Sequence, residues 1–254
     1  MKKFFIKFIK LLGFEILDQN KFVSPTMKKE LNENLSTIND KSIILPLGQV
    51  KISRKVTSIL IILRTNTDIE IWDQNRKRLF ELPKIEYTKR SLNSLIKSIK
   101  YLSEKYPSIN VKTVIVDDNS KNENLLQIKS IIQNRNIEMI SLDHSKYLNK
   151  IKNQKTKETF SNLASLFQCF EIGKERGEDL IFFVEDDYLH FETMLEEMIS
   201  SYERIASQLN QIIFMCPSDY PYLYMNNEKT NVLIGSRRHW RTVDKTLCTF
   251  LTTK

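Results

Sequence analysis

The sequence predicts an α/β protein, with a mainly parallel central sheet flanked by helices and an N-terminal helical extension. Three observations carry that expectation. From Val56 onward, apolar β-branched runs alternate with stretches of helical periodicity, the pattern of strand–helix–strand units. The runs are continuous rather than alternating, as expected of strands covered on both faces. Two of them end abruptly in acidic clusters, at the strand ends beyond which open α/β sheets bind their ligands.

The elements follow in order. Met1 to Leu17, MKKFFIKFIKLLGFEIL, gathers Phe4, Phe5, Phe8, Ile9, Leu11 and Leu12 on one side of a helix, with Lys3, Lys7 and Lys10 opposite. It lacks a small-residue cleavage site and is too short and too charged to span a bilayer. Two readings stand: a basic amphipathic helix in peripheral contact with an anionic membrane through residues 1–17, or one packed on the protein body. Residues 18–55 are polar and irregular and read as a linker or an ordered extension, so 1–55 separates from a domain over 56–254.

Within that domain, Ser58–Leu63 (SILIIL) is the first buried strand. Leu92, Leu95, Ile96, Ile99 and Leu102 recur at helical spacing between Tyr87 and Lys105. Val111–Val116 is the second strand, Leu125–Gln133 a helix and Ile137–Leu142 the third strand. A basic stretch, Lys146–Lys157, precedes a helix over Glu158–Glu175 with Leu163, Leu166, Phe167 and Phe170 as its apolar stripe. Leu180–Val184 (LIFFV) is the fourth strand, followed by a helix over Phe191–Leu209 and a strand over Gln211–Met215.

Composition narrows the function classes. A chain that is 41% hydrophobic and 28% charged is too apolar to be disordered. Five glycines in 254 residues form neither a G-x-G-x-x-G nor a G-x-x-x-x-G-K-[ST] loop, which argues against the usual dinucleotide and P-loop sites. Cys169, Cys216 and Cys248 are odd in number and far apart, so neither a disulfide framework nor a zinc site follows, and a reducing, cytoplasmic setting does. The net charge of +8 is spread along a chain rich in Lys, Ile and Asn. It reads as compositional drift, with anionic surfaces or substrates as secondary meanings and no nucleic-acid partner.

The chemistry sits in the acidic strand ends. VIVDDNS ends in Asp117, Asp118, Asn119 and Ser120, and IFFVEDDY in Glu185, Asp186, Asp187 and Tyr188. Carboxylates crowded past a buried strand repel one another unless a cation or donor neutralises them. A divalent metal does so and also bridges to phosphate oxygens. Asp117 or Asp118 could instead accept from a base or a ribose, and DDNS also suits a turn or helix cap.

These residues resemble the glycosyltransferases of the A-type fold (nucleotide-diphospho-sugar transferases), most closely inverting family two. The likeness covers roughly Thr57 to Ala206. That family's Pro-Thr-x-Asn segment is echoed by Arg64-Thr65-Asn66 without the proline, and its Val-Asp-Asp-Gly-Ser by Val116–Ser120 with Asn119 in place of glycine. Its Asp-x-Asp metal motif falls on Glu185-Asp186-Asp187, and its Asn-rich helix start on Ser161-Asn162. The resemblance implies Mn²⁺ or Mg²⁺ held by Asp187 with Glu185, and donor contacts from Arg64, Thr65, Asp117, Asp118 and Asp186.

By the same likeness the chain is an enzyme that moves a glycosyl group from a nucleotide-sugar to a hydroxyl of a glycan or lipid-linked acceptor. Surface polysaccharide or lipopolysaccharide synthesis at the inner face of the plasma membrane fits its basic N-terminus. Two arginines of Gly235–Arg241, Arg238 and Arg241, suit a diphosphate, with Trp240 for a sugar ring. The general base falls late in that family; here only Asp219, with Asp244 as second choice, follows the last helix. If neither serves, the chain is a fragment or a non-catalytic membrane-associated binding protein of the same fold. The insertion 67–86 is unassigned, and His190 is a weaker metal candidate.

Overall fold

The computed structural model describes residues 5, 8, 9, 11–13, 38, 41–44, 48–68, 79–152, 156–218, 231–243 and 248–254. Among them lies a five-stranded mixed sheet flanked by helices. A hairpin of β1 (Lys41–Ile44) and β2 (Gly48–Lys51) comes first, pairing Lys41 with Lys51. The sheet itself is built from β3 (Ser58–Thr65), β4 (Asn110–Asp117), β5 (Ile137–Ser141), β6 (Leu180–Glu185) and β9 (Phe250–Thr253). The order is β5-β4-β3-β6-β9, with β3 parallel to both β4 and β6, β4 parallel to β5, and only β9 antiparallel.

The continuous apolar runs are explained by helices on both faces. Ile59, Ile61, Leu63, Ile115, Phe182 and Val184 point to one side, where α1 (Lys84–Lys105), α2 (Asn122–Ile132) and α4 (Met194–Leu209) supply Leu92, Leu95, Ile128, Met198, Ile199 and Tyr202. Their neighbours Leu60, Ile62, Val114, Val116, Ile181 and Phe183 point the other way, against Cys169 and Ile172 of α3 (Lys157–Arg176). This is the two-residue alternation of a strand, with both sides apolar. A third cluster, Leu142, Tyr147, Ile151 and Ala164, fastens the turn after β5 to α3.

The strand expected over Gln211–Met215 is corrected. Only Met215 makes a bridge, to Leu251, while Ile212 and Phe214 stand exposed. The edge of β6 is taken instead by β9, so the 211–215 segment lies beyond an already filled position. The helix expected from Phe191 starts at Met194, and the one expected from Leu125 starts at Asn122. The residues before β3 are tied to α4: Ser53 and Arg54 N–H donate to Ser207 Oγ at 3.0 and 2.9 Å, and Val56 N–H to Glu203 Oε1 at 2.7 Å. Strands β7 (Val232–Ile234) and β8 (His239–Arg241) form a last hairpin.

Of the N-terminal helix, the described Phe5, Phe8, Leu11 and Leu12 are exposed. Among the described residues no helix is long and apolar enough to cross a membrane.

Candidate functional site

The carboxyl ends of β3, β4 and β6 bring the two acidic clusters together around Arg64. In the parallel register Arg64 lies opposite Val116 on one side and Glu185 on the other, and Thr65 opposite Asp117. Arg64 Nη2 donates to Glu185 Oε1 at 2.7 Å, and Nη1 to Asn162 Oδ1 at 2.9 Å. Asn162 sits in the second turn of α3, whose start Thr156 caps by accepting from Thr159 N–H. The strand ends and the start of α3 thus close on one guanidinium.

Asp117 and Asp118 divide their work. Asp117 is 3% exposed and accepts from Thr65 Oγ1 at 2.8 Å, Ser120 Oγ at 2.7 Å and Ser120 N–H at 2.9 Å. Three donors on a buried carboxylate make it the hub of its own turn. The turn needs a left-handed residue, and Asn119 supplies it at φ 55°. Asparagine is the side chain that best tolerates this region where glycine is absent. Asp118 faces the other way, toward α3: Oδ2 accepts from Asn66 Nδ2 at 3.1 Å and Ser161 Oγ at 2.5 Å. His144 Nε2 lies 3.0 Å from its Oδ1.

The triplet after β6 is equally differentiated. Glu185 is partly buried, paired with Arg64, and its carboxyl is pushed up by burial, helped by the charges of Asp187 and Asp186 and opposed by Arg64. Asp186 is a clamp: Lys84 Nζ lies 2.8 Å from Oδ1 and Thr88 Oγ1 donates to Oδ2 at 2.6 Å. It pins the first turn of α1 to the end of β6 and has both oxygens engaged, which leaves it poorly placed for the donor contact expected of it.

Asp187 stands at the mouth of the site, reachable by solvent. Burial among the surrounding atoms is the largest influence and raises its carboxyl; Asp186 adds to this, while Lys84 and Arg64 oppose it. No other residue's side chain donates to it among the described residues.

That donor set fits a divalent cation. Among the described residues no side chain donates to the Asp187 carboxylate, Arg64 holds only one oxygen of Glu185 at that distance, and Lys84 and Arg64 only partly offset the acidic charge there. Among the described residues no group of three or more His, Cys, Asp or Glu is placed to hold a metal ion. Mg²⁺ and its kin commonly bind through one or two carboxylates and complete their shell from substrate phosphates and water.

Two expectations change. Arg238 and Arg241 are not gathered at the strand ends. Arg237, just before them, donates to Tyr101 and Glu196, near the far end of α1, and Arg238 lies over the Phe191 ring at 4.0 Å. At 1.5 Å per residue, Tyr101 is about 25 Å along α1 from Lys84. Arg238 and Arg241 instead line a cavity of about 350 Å³ with Ile205, Met215 and Trp240. The hairpin is seated there by Glu197, which accepts from Ser236 N–H, Arg237 N–H and Trp240 Nε1 at 3.1, 2.7 and 3.0 Å.

His190 is the other change. Its Nε2 is buried without a hydrogen-bond partner among the described residues, and burial lowers its pKa to about 4. Its backbone is held by Ser94, lower on α1 than the triplet's anchors Lys84 and Thr88, and nothing ties it to the carboxylates. Asp219 and Asp244, the candidate bases, lie outside the described residues, as does most of the insertion, 69–78. Two residues that sequence reasoning missed join the site: Lys84, at the insertion's end, and His144, in the turn after β5. A lone histidine and a lysine without motif context carry no signal until the fold brings them to a carboxylate.

No family model matches the chain, and no curated protein does. Solved structures do. TarS of S. aureus, residues 1–349, matches with a TM-score of 0.39 and 16% identity over 77% of this chain and 47% of that one. Glucosyl-3-phosphoglycerate synthase from Mycobacterium tuberculosis, in complex with uridine diphosphate, matches at 0.29 and 13% over 56% and 39%. A mycobacterial protein matches at 0.29 and 15% over 55% and 35%. The chain spans less than half the length of each of these structures. At such scores, function has to be argued from the site's own residues.

Proposed function

We propose that this chain is a glycosyltransferase that takes a nucleotide-sugar donor and hands its glycosyl group to a hydroxyl acceptor. One observation carries the reading: at the carboxyl ends of three adjacent parallel strands the Asp187 carboxylate, to which no other side chain among the described residues donates, accompanies the Arg64–Glu185 pair and the Asp118 cluster. Such a place offers opposite ends of a nucleotide what each needs. Asp118, set back and hydrogen-bonded, accepts from a base N–H or a ribose hydroxyl. Arg64 and Lys84 oppose the charge of a diphosphate. Asp187, with Glu185, would hold Mn²⁺ or Mg²⁺.

When bound, that cation would neutralise the diphosphate and ease departure of the nucleoside diphosphate. The chain's residues do the rest. Asp117 fixes the 117–120 turn so that Asp118 keeps its aim, and Asp186 fixes α1 so that Asp187 stays at the mouth. The acceptor hydroxyl needs a carboxylate base, for which Asp219 is the first candidate. The acceptor is a glycan or lipid-linked acceptor of surface polysaccharide or lipopolysaccharide, reached at the inner face of the plasma membrane through the basic, apolar-rich sequence of residues 1–17.

Calorimetric titration of nucleoside diphosphates and nucleotide-sugars tests this, with Mn²⁺ and with EDTA, on wild type and Asp187→Ala. Metal-dependent binding lost in the variant supports the donor site, and hydrolysis of the sugar nucleotide in the same sample supports transfer. Binding without any turnover favours the second reading, a non-catalytic protein that keeps the donor fold. No binding of any nucleotide removes both.

A further inference from the structure

Next to the donor site lies a histidine that is held too carefully to be incidental. His144 opens the single 3-10 turn His144–Tyr147 after β5. Asp143 caps that turn, its Oδ1 accepting from Ser145 N–H at 3.0 Å and Ser145 Oγ at 2.6 Å. Its own N–H donates to Gln168 Oε1 at 3.0 Å, while Gln168 Nε2 donates to Ser141 O at 3.0 Å, so α3 clasps both sides of the turn. Fully buried Tyr147 donates its hydroxyl to Glu171 at 2.7 Å. The turn is therefore fastened at three points, and His144 has little freedom left.

Its ring meets three polar groups. Nε2 is 3.0 Å from Asp118 Oδ1 and 2.9 Å from Ser161 Oγ, and Nδ1 is 3.3 Å from Asn119 Nδ2. A neutral imidazole carries one N–H and one acceptor nitrogen. With the Asn119 amide donating to Nδ1, the proton belongs on Nε2 and points at Asp118. Ser161 and Asn66 already donate to Oδ2. A carboxylate has about four acceptor directions, so three donors leave about one, on Oδ1 beside the imidazole. The Asp118 side chain is 7% exposed and His144 28%, so the imidazole forms the rim through which that last direction is reached.

We propose that His144 is a positioning residue for the donor's nucleoside: by donating to Asp118 Oδ1 it aims the carboxylate's remaining acceptor direction at a single N–H or O–H of the ligand. This rests on the donor-site reading above. His144 itself transfers nothing; its effect passes through Asp118.

The test uses the full chain, Mg²⁺ and the tightest binder among uridine, cytidine, adenosine and guanosine diphosphate. His144→Leu removes the donor and is expected to weaken binding roughly tenfold, the scale of one hydrogen bond to a charged group. His144→Gln restores an N–H near the Nε2 position and is expected to stay within about threefold of wild type. In an Asp118→Asn background, His144→Leu is expected to cost nothing further, since the group it acts through is gone. An unchanged affinity in His144→Leu overturns the proposal, as does the same loss in both backgrounds.

Nitrogen-15 spectra of the imidazole give a readout free of nucleotide: the Nε2–H tautomer is expected, and the Nδ1–H tautomer overturns the proposal even where nucleotide binds. A wild type that binds no nucleoside diphosphate overturns the donor reading and this proposal together.

Discussion

Arg64 and Glu185 are register partners on the parallel strands β3 and β6, and the guanidinium donates to the carboxylate at 2.7 Å across that pair. Both side chains are largely sheltered, at 11% and 28% exposure. Arg64→Met strips Glu185 of its cation while burial still pushes the carboxyl up. It also frees Asn162 at the start of α3. We expect a loss of about 1–3 kcal/mol, below the cost of breaking a fully buried pair. The double variant Arg64→Met/Glu185→Gln should lose less than the sum of the singles, because no charge is then stranded. Urea unfolding of the four proteins measures the coupling; strict additivity would sink it.

Asp187 is held against its own preference. Burial pushes its carboxyl up from the ordinary aspartate value, against the opposing charges of Lys84 and Arg64, so ionising it at neutral pH costs the fold some stability. Asp187→Asn removes that cost and should raise the melting temperature measured in EDTA. It should also erase any upward shift that Mn²⁺ or Mg²⁺ gives the wild type. A variant that melts lower in EDTA, or still responds to the metal, contradicts the role given to this residue.

The sheet was largely legible because its strands are covered on both faces: SILIIL, VKTVIV and LIFFV cannot be helices of useful length, and their two-sided apolarity predicts the middle of a parallel sheet. The fifth strand was not. Phe250–Thr253 is four residues long, mixes apolar with threonine, and gains its identity only by pairing antiparallel with β6. The acidic clusters were visible as clusters, but not their division of labour.

Nothing in Glu185-Asp186-Asp187 tells which acid will be clamped, because that depends on Lys84 and Thr88, about a hundred residues earlier in the chain. The arginine run misled for a related reason. Its charge suggested an anion, whereas the backbone of Ser236 and Arg237 and the indole of Trp240 are seated on Glu197.

Asn119 offers a direct check on the turn that presents Asp118. At φ 55° a residue with a Cβ is strained, and asparagine is the mildest case after glycine. Asn119→Ala should cost about 1–2 kcal/mol, while Asn119→Gly should be nearly neutral in stability. Thermal melts of the pair decide it. Equal losses would mean that the amide's contact with His144, which both variants lack, matters more than the backbone.

The Asp186 clamp should be the most sensitive of the three acids for folding. Lys84 and Asp186 are both nine-tenths or so buried on their side chains, at 11% and 9% exposure. Asp186→Ala strands the ammonium and leaves the Thr88 hydroxyl without its acceptor. A loss of about 3–5 kcal/mol is expected, against about 1–2 kcal/mol for Thr88→Val. Denaturant midpoints on the two variants measure this. An Asp186→Ala protein as stable as wild type would return Asp186 to the list of free donor-site acids.

His190 gives the chain a built-in acid sensitivity. Burial lowers its pKa from 6.5 to about 4, and among the described residues the Nε2 finds no partner that would offset the charge. Between those values the unfolded chain binds a proton that the folded chain refuses, so the unfolded state gains as pH falls. The stability the neutral ring contributes is complete above pH ~6.5 and is lost as pH drops toward ~4. The shift corresponds to roughly 3 kcal/mol across that window. His190→Phe, which keeps an aromatic ring but cannot take up the proton, should flatten this part of the profile while leaving the stability at pH ~8 within about 1 kcal/mol. Urea unfolding at half-unit steps between pH 4 and 8 on both proteins measures it. A wild-type profile as flat as the variant's would mean that the folded protein protonates His190 normally, and that the ring reaches water.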